Sequence, residues 1–548
     1  MKPDATDADP PHRAGKTAAK AERVYLYDTT LRDGAQTQGV DFGVADKIAI
    51  AESLDGLGID YVEAGWPGAN PTDDAVFEEM PPLEHARVVA FGMTRRQGRS
   101  AANDPTLAAV LGARARAVCL VGKAWDFHVD VALGVERDEN LKMIRDSVAH
   151  AAKAGREVLF DAEHFFDGYA ANRDYAMKAV EAAHEAGARW IVLCDTNGGT
   201  LPDQVERVVA EVARKIPAAK LGIHCHNDTE NAVANSLAAV RAGARMVQGT
   251  INGLGERCGN ANLVSLIPTL QLKMGFDTGV GRDRLPRLVE VSRMLDRRLN
   301  RPANRHAAYV GEAAFAHKAG LHASAVEKDP ASYEHVPPES VGNRRNVLVS
   351  DQAGRASMLA RLRDLGIKAE ASDGRLIRLL DDVKVKEYQG YAFDDVPASF
   401  ELLARRAFGA VPQYFSLDRF QIQVEHRHNA KGELITVSQA TIKIDVGNER
   451  MMVVAEGNGP VDALDAALRK ALEPTYPTLS TMRLMDYKVR ILTPQEGTKA
   501  VTRVMIESRD DRGRHWATVG VSPNIMDASF MALEDGITYK LLHDGVRA

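Results

Sequence analysis

The chain has 548 residues, 45% hydrophobic and 26% charged, ordinary values for a soluble globular protein and enough chain for two or three domains. Its net charge of −6 carries no basic excess, so nucleic acid and anionic membrane are excluded as expected partners, and no apolar run approaches the roughly 18–20 residues of a membrane span. Four cysteines, Cys119, Cys194, Cys225 and Cys258, are too few and too scattered for a disulfide framework, which suggests a reducing cytoplasm.

Residues 1–23, rich in Ala, Lys, Asp and Pro, lack the apolar core of a signal peptide and read as a disordered tail. Residues 24–281 alternate short apolar runs with helical patterns. Candidate strands begin at Val24, Tyr61, Arg87, Ala117, Glu157, Trp190, Leu221 and Met246. Segments between them, such as "ADKIAIAESLDGLG", space apolar residues for a helix and end on glycine. Eight such units in about 250 residues predict an α/β protein built on a closed (β/α)8 TIM barrel. Its active site belongs where strands end, and there the polar residues gather: Asp28, Arg32, Asp33, Glu63, Lys123, Glu163, Asp195, Thr196, His224, His226, Asn252, Glu256 and Asn260.

Residues i and i+2 of a strand face one way, so His224 and His226 in "HCH" can grip one ion while Cys225 faces the other. A carboxylate from Asp33 makes three protein ligands, and the loop "GLGERCGN" delivers Glu256 and Asn260, the latter a candidate fourth ligand. Two imidazoles and a carboxylate with positions left open suit a catalytic divalent ion such as Mn2+, Mg2+, Co2+ or Zn2+. An Arg–Asp dipeptide is ordinarily a surface ion pair. Here Asp33 holds the metal while Arg32 supplies fixed positive charge beside it for a substrate oxygen. Trp66, in "GWPG" at the end of the second strand, is placed to limit the space for a substrate side chain.

Residues 282–406 read as a helical linker subdomain and 407–548 as a C-terminal α+β domain. In the latter, aligning Asp462-Ala463 with Asp527-Ala528 reveals two strand-then-helix copies 65 residues apart (527 − 462). Neither copy carries a catalytic cluster, so the domain reads as regulatory or dimerising.

Together, "LRDGAQ", "HCHND" and "GLGERCGN" resemble the α-isopropylmalate, homocitrate and citramalate synthase family over almost the whole chain from Tyr25. Within it, "GWPGANP", "CDTNGGTLP", "AYVGEAAFAHKAGLHASAV" and "YEHVPPESVGN" are most similar to the citramalate branch. The resemblance implies a metal-dependent condensation of acetyl-CoA, as co-substrate, with pyruvate. In it Arg32 steadies negative charge, Glu163 assists proton transfer and Thr196 positions the keto acid. His317 and His322 compete for the base; the resemblance favours His322, with Tyr333 as its partner. It also implies a cytoplasmic homodimer and an amino-acid effector, isoleucine, acting at the C-terminal domain. The alternatives are a 2-isopropylmalate synthase acting on 2-oxoisovalerate, an acyl-CoA-cleaving lyase, and a non-catalytic amino-acid sensor. The lyase lacks support because Cys258 sits in "RCGN" rather than the Gly-Gly-Cys-Pro of that group. One departure stands out: Glu230 occupies a position that is usually glycine.

Overall fold

The computed structural model describes residues 21–299, 301–317, 322, 325–326, 328–347, 355–393, 396–428, 430–447 and 449–547. They fall into two compact units, the first within Met1–Phe315 and Val336–Arg345, the second within Ala316–His335 and Asn346–Ala548. The expected linker of residues 282–406 is thus shared between them. Residues 1–20 of the expected tail lie outside the described residues. Its last residues are held in place, correcting the expected boundary: Arg23 pairs as a parallel bridge with Asp277 and forms an ion pair with Asp60.

In the first unit eight parallel strands close a barrel in sequence order: β1 (Tyr25–Asp28), β2 (Tyr61–Gly65), β3 (Arg87–Met93), β4 (Ala117–Lys123), β5 (Glu157–Glu163), β6 (Trp190–Asp195), β7 (Leu221–Cys225) and β8 (Met246–Gly249). Closure is the register of β1 on β8, Tyr25 opposite Met246 through Asp28 opposite Gly249. The strands alternate. Leu26, Val62, Val118, Phe160, Ile191 and Val247 face the surrounding helices, while Tyr27, Tyr61, Phe91, Cys119, Trp190 and Met246 fill the interior.

Local signals set the helix ends. The helix α1 (Val44–Leu57) stops at Gly58, whose φ of 102° is costly for any residue with a β-carbon. In α2 (Pro71–Glu79), Pro71 opens the first turn and the Asn70 side chain accepts from the Asp73 N–H. The barrel's lower end, where the strands begin, is plugged by aromatic rings. Trp190 Nε1 donates to Tyr61 Oη at 3.1 Å, Tyr61 Oη donates to Glu157, and Tyr25 packs edge-on to Trp190 at 5.2 Å. Apolar and polar ends of one cylinder are thereby separated, and the polar end is the mouth.

The second unit contains the repeat. The strands β9 (Ala316–His317) and β10 (Asn346–Val347) pair in parallel. Beyond them, β11 (Phe415–His428), β12 (Leu434–Val446) and β13 (Glu449–Gly457) form an antiparallel sheet followed by α3 (Pro460–Leu472). The second copy is β14 (Arg483–Ile491), β15 (Thr502–Arg509), β16 (His515–Ser522) and α4 (Ile525–His543). The helices start 65 residues apart (525 − 460), as the sequence alignment requires. In β12, Ala440, Ile442, Ile444 and Val446 are buried, and in β15 so are Val504 and Ile506, each set against a core shared with the helices. Among the described residues no helix is long and apolar enough to cross a membrane.

Candidate metal centre and active site

The mouth of the barrel is built from strand ends. His224 lies in β7 and His226 just beyond it; their rings are 5.1 Å apart and both are buried. Asp33, 3% exposed, comes from the loop after β1, with its Oδ2 3.5 Å from His224 Nε2 and 3.9 Å from His226 Nε2. The ligand atoms of these three residues all lie within 4.8 Å of one another. Asn260 is delivered by the loop after β8, where it pairs backbone to backbone with His226 and donates from Nδ2 to Asp33 Oδ2 at 2.9 Å. That loop depends on Gly259, with φ of 89° and a would-be β-carbon 2.0 Å from the Gly253 carbonyl.

Two buried polar atoms in this cluster lack a hydrogen-bond partner, the acceptor Asn260 Oδ1 and the ring nitrogen His226 Nδ1. Burying them unpaired is unfavourable unless a ligand satisfies one or both. The donors are imidazole nitrogens, a carboxylate oxygen and an amide oxygen, a set that fits a divalent cation. Burial alone would raise the Asp33 carboxyl, but Arg32, the two histidines in their protonated form and the Asn260 hydrogen bond outweigh it and lower it to about 2. The ligand is therefore an anion at neutral pH.

Arg32 pairs with Glu63 as well as with its neighbour Asp33. Arg32 Nε donates to Glu63 Oε2 at 2.7 Å, and its Nη1 is 3.8 Å from Asp33. The guanidinium also lies 3.9 Å above the Phe91 ring, whose edge meets Trp66 at 5.5 Å. Glu63 is fully buried and accepts from Tyr27 Oη at 2.6 Å and from the Thr29 hydroxyl as well. A cavity of about 430 Å³ opens beside this group, and Arg32, Gln36, Lys47, Trp66 and Asn70 line it. Lys47 is buried there, paired with Asp73.

On the opposite side of the mouth, Lys123 and Glu163 form an ion pair. The next residue, His164, is left-handed (φ 55°), and its N–H donates to Thr196 Oγ1 at 2.9 Å. Arg257 spans three loops, donating to both carboxylate oxygens of Asp228 at 2.7 and 2.9 Å and to the Thr196 carbonyl at 2.7 Å. Two expected site residues turn away. Asn252 is bonded to Ser292 and Asp296, and the Glu256 side chain is 61% exposed, 3.7 Å from Arg257. Glu230 has φ of 57°, the conformation for which a glycine is the natural choice.

His322 and Tyr333 belong to the second unit, where both are exposed and their rings lie 4.2 Å apart. His317, the competing base, is instead turned to a buried carboxylate, its Nε2 3.3 Å from Glu334 Oε1. Sequence reasoning missed Asp161, Gln248, His128 and Arg257. The His128 ring lies 4.1 Å from that of His164, beside the Glu163 carboxylate's strand end. "HCH" was readable because one stretch of chain carries both ligands; the missed residues meet partners far away in sequence.

Comparison with known proteins agrees with this architecture. The HMGL-like family profile matches residues 23–292, a homocitrate synthase post-HMGL domain profile residues 309–387, and the LeuA allosteric (dimerisation) domain profile residues 396–541. The chain is 48% identical to the (R)-citramalate synthase of Aquifex aeolicus, over 96% of this chain and 99% of that protein. It is 50% identical to that of Geobacter sulfurreducens, over 94% and 97%, and 47% identical to that of Synechocystis, over 96% and 97%. With identity at this level over nearly the whole length of the chain, the chain belongs to the (R)-citramalate synthase family.

Proposed function

We propose that the protein condenses acetyl-CoA with pyruvate and water to give (R)-citramalate and coenzyme A, a step toward isoleucine. The observation that carries this reading is the convergence of Asp33, His224 and His226 beside Arg32, in a chain near 50% identical to named synthases along its length. A divalent ion held by Asp33, His224, His226 and Asn260 would supply Lewis-acid polarisation of the keto acid's carbonyl. Arg32 stands where it can balance negative charge on that oxygen, and Glu63 keeps it there. Thr196 orients the keto acid. His322 removes a proton from the acetyl methyl group, with Tyr333 against its ring, and the carbanion forms the new bond to the ketone carbon. Glu163, paired with Lys123, takes part in proton transfer as the alkoxide is quenched. Water then cleaves the thioester and coenzyme A leaves, which makes the sequence effectively irreversible.

The exposed position of His322 beside Tyr333, against the carboxylate-bound His317, favours His322 as the base. The match to an allosteric and dimerisation domain supports a homodimer with an amino-acid effector, isoleucine, at the duplicated C-terminal modules. The four free cysteines are compatible with a reducing cytoplasm.

A panel of keto acids with acetyl-CoA, followed by coenzyme A release, tests the substrate. Pyruvate should exceed 2-oxobutyrate and far exceed 2-oxoisovalerate in kcat/KM, because Trp66 lines the cavity beside Arg32. Trp66→Ala should narrow that preference, since a methyl group in a fitted pocket decides about 1–3 kcal/mol. A higher kcat/KM for 2-oxoisovalerate in the unsubstituted protein would replace this reading with isopropylmalate synthesis.

A further inference from the structure

Beneath the mouth, interior side chains from four strands form a polar chain. Asp161 on β5 is 4% exposed and accepts at Oδ1 from Gln248 Nε2 at 3.0 Å. Gln248 on β8 is 1% exposed, and its Oε1 lies 2.9 Å from His224 Nδ1. Cys119 on β4 directs its thiol at Asp161 from the other side. Burial raises the Asp161 carboxyl to about 6, so at neutral pH and above its main form is the carboxylate, which can only accept and is faced by the amide nitrogen of Gln248. The amide oxygen must then face His224, which places the imidazole proton on Nδ1. His224 Nε2 is left as a bare lone pair, aimed at Asp33 3.5 Å away.

Resting on the metal reading above, we infer that Gln248 is a positioning residue for the metal centre: oriented by Asp161, it fixes the tautomer and ring angle of His224. A one-residue analogue of this relay is common where imidazoles bind metals, and losing it weakens binding about 10- to 100-fold. In this barrel the relay has two links, and the outer one is a buried carboxylate that never touches the ligand.

The test uses full-length protein stripped of metal and labelled with 15N-histidine. Its ring-nitrogen correlations, assigned against His224→Gln, should show the His224 proton on Nδ1. A neutral ring with its proton on Nε2 and Nδ1 bare overturns the inference without any further variant. Mn2+ affinity is then measured by chelator competition. Gln248→Met should bind Mn2+ about 10- to 100-fold more weakly. The double variant Asp161→Asn with Gln248→Glu exchanges donor and acceptor at the lower link but keeps an acceptor for His224. It should bind within about threefold of the parent. Wild-type affinity in Gln248→Met, or a double variant as weak as Gln248→Met, overturns the inference. Failure of the parent protein to bind Mn2+ at all would instead overturn the metal reading itself.

Discussion

Exchanging Glu63 for Gln tests whether Arg32 is held electrostatically. Glu63 is fully buried, and its two oxygens receive Tyr27, Thr29 and Arg32, the last at 2.7 Å. A glutamine has the same shape but one acceptor oxygen and no charge. Its amide nitrogen must face Arg32, where two donors collide, or Tyr27, where the guanidinium keeps only a neutral partner. A hydrogen bond to a charged group is worth ~1.5–3 kcal/mol, which at about 1.4 kcal/mol per factor of ten is a loss of about 10- to 150-fold in kcat/KM. Tyr27→Phe is the control: it removes one hydrogen bond to Glu63 without touching Arg32, and should cost ~1.5–3 kcal/mol of stability but little activity. Initial rates of thiol release and urea unfolding are measured for both variants. A Glu63→Gln protein with kcat/KM within about twofold of the parent would refute the argument, as would a Tyr27→Phe protein equally impaired.

Asp33→Ala and His226→Ala should each abolish turnover and weaken divalent-ion binding; full activity of Asp33→Ala in chelator-treated buffer would end the metal assignment. Glu230→Gly should stabilise the protein by ~0.5–1 kcal/mol, the relief of a left-handed β-carbon less the glycine's added freedom when unfolded. An unchanged or lower urea midpoint would contradict that. In the second unit Lys540, 2% exposed, is paired with Asp544, which Arg514 also reaches. Burial would raise the Asp544 carboxyl, but hydrogen bonds from Lys540, Thr478 and Arg514 hold it well below the usual carboxylate range. The folded value lies below the unfolded one, so this stabilisation is complete above about pH 5 and is lost as pH falls further. Asp544→Asn should therefore lower stability at pH 7 and flatten the acid limb of the stability profile. A parallel downward shift at every pH would show that the charge is not the cause.

Features written along one stretch of chain could be read before any coordinates. His224 and His226 share a face because a strand has a period of two, and the duplicated modules share an offset of 65 residues because each is a contiguous copy. Asp33 and Asn260 were within reach because both follow strand ends. Asp161 and Gln248 were not, since their meeting depends on the shear of a closed barrel, which sets β5 across from β8. Glu256 was misread for a related reason: its neighbour Asn260 turns inward only because Gly255 and Gly259 let the loop fold back, and that turn leaves Glu256 outside. The departure at Glu230 was visible as a residue type, but its φ of 57° was needed to show that the glycine-like turn persists.

The aromatic plug at the base of the barrel leaves the mouth as its open, polar end. Trp190 and Tyr61 are 0% and 1% exposed, so Tyr27, Glu63, Cys119 and Asp161 lie above a ring layer whose own hydrogen bonds lead outward, through Tyr61, to Glu157 and Arg87. A substrate seated in the mouth would therefore cover the polar end of the cylinder, directly above these buried groups.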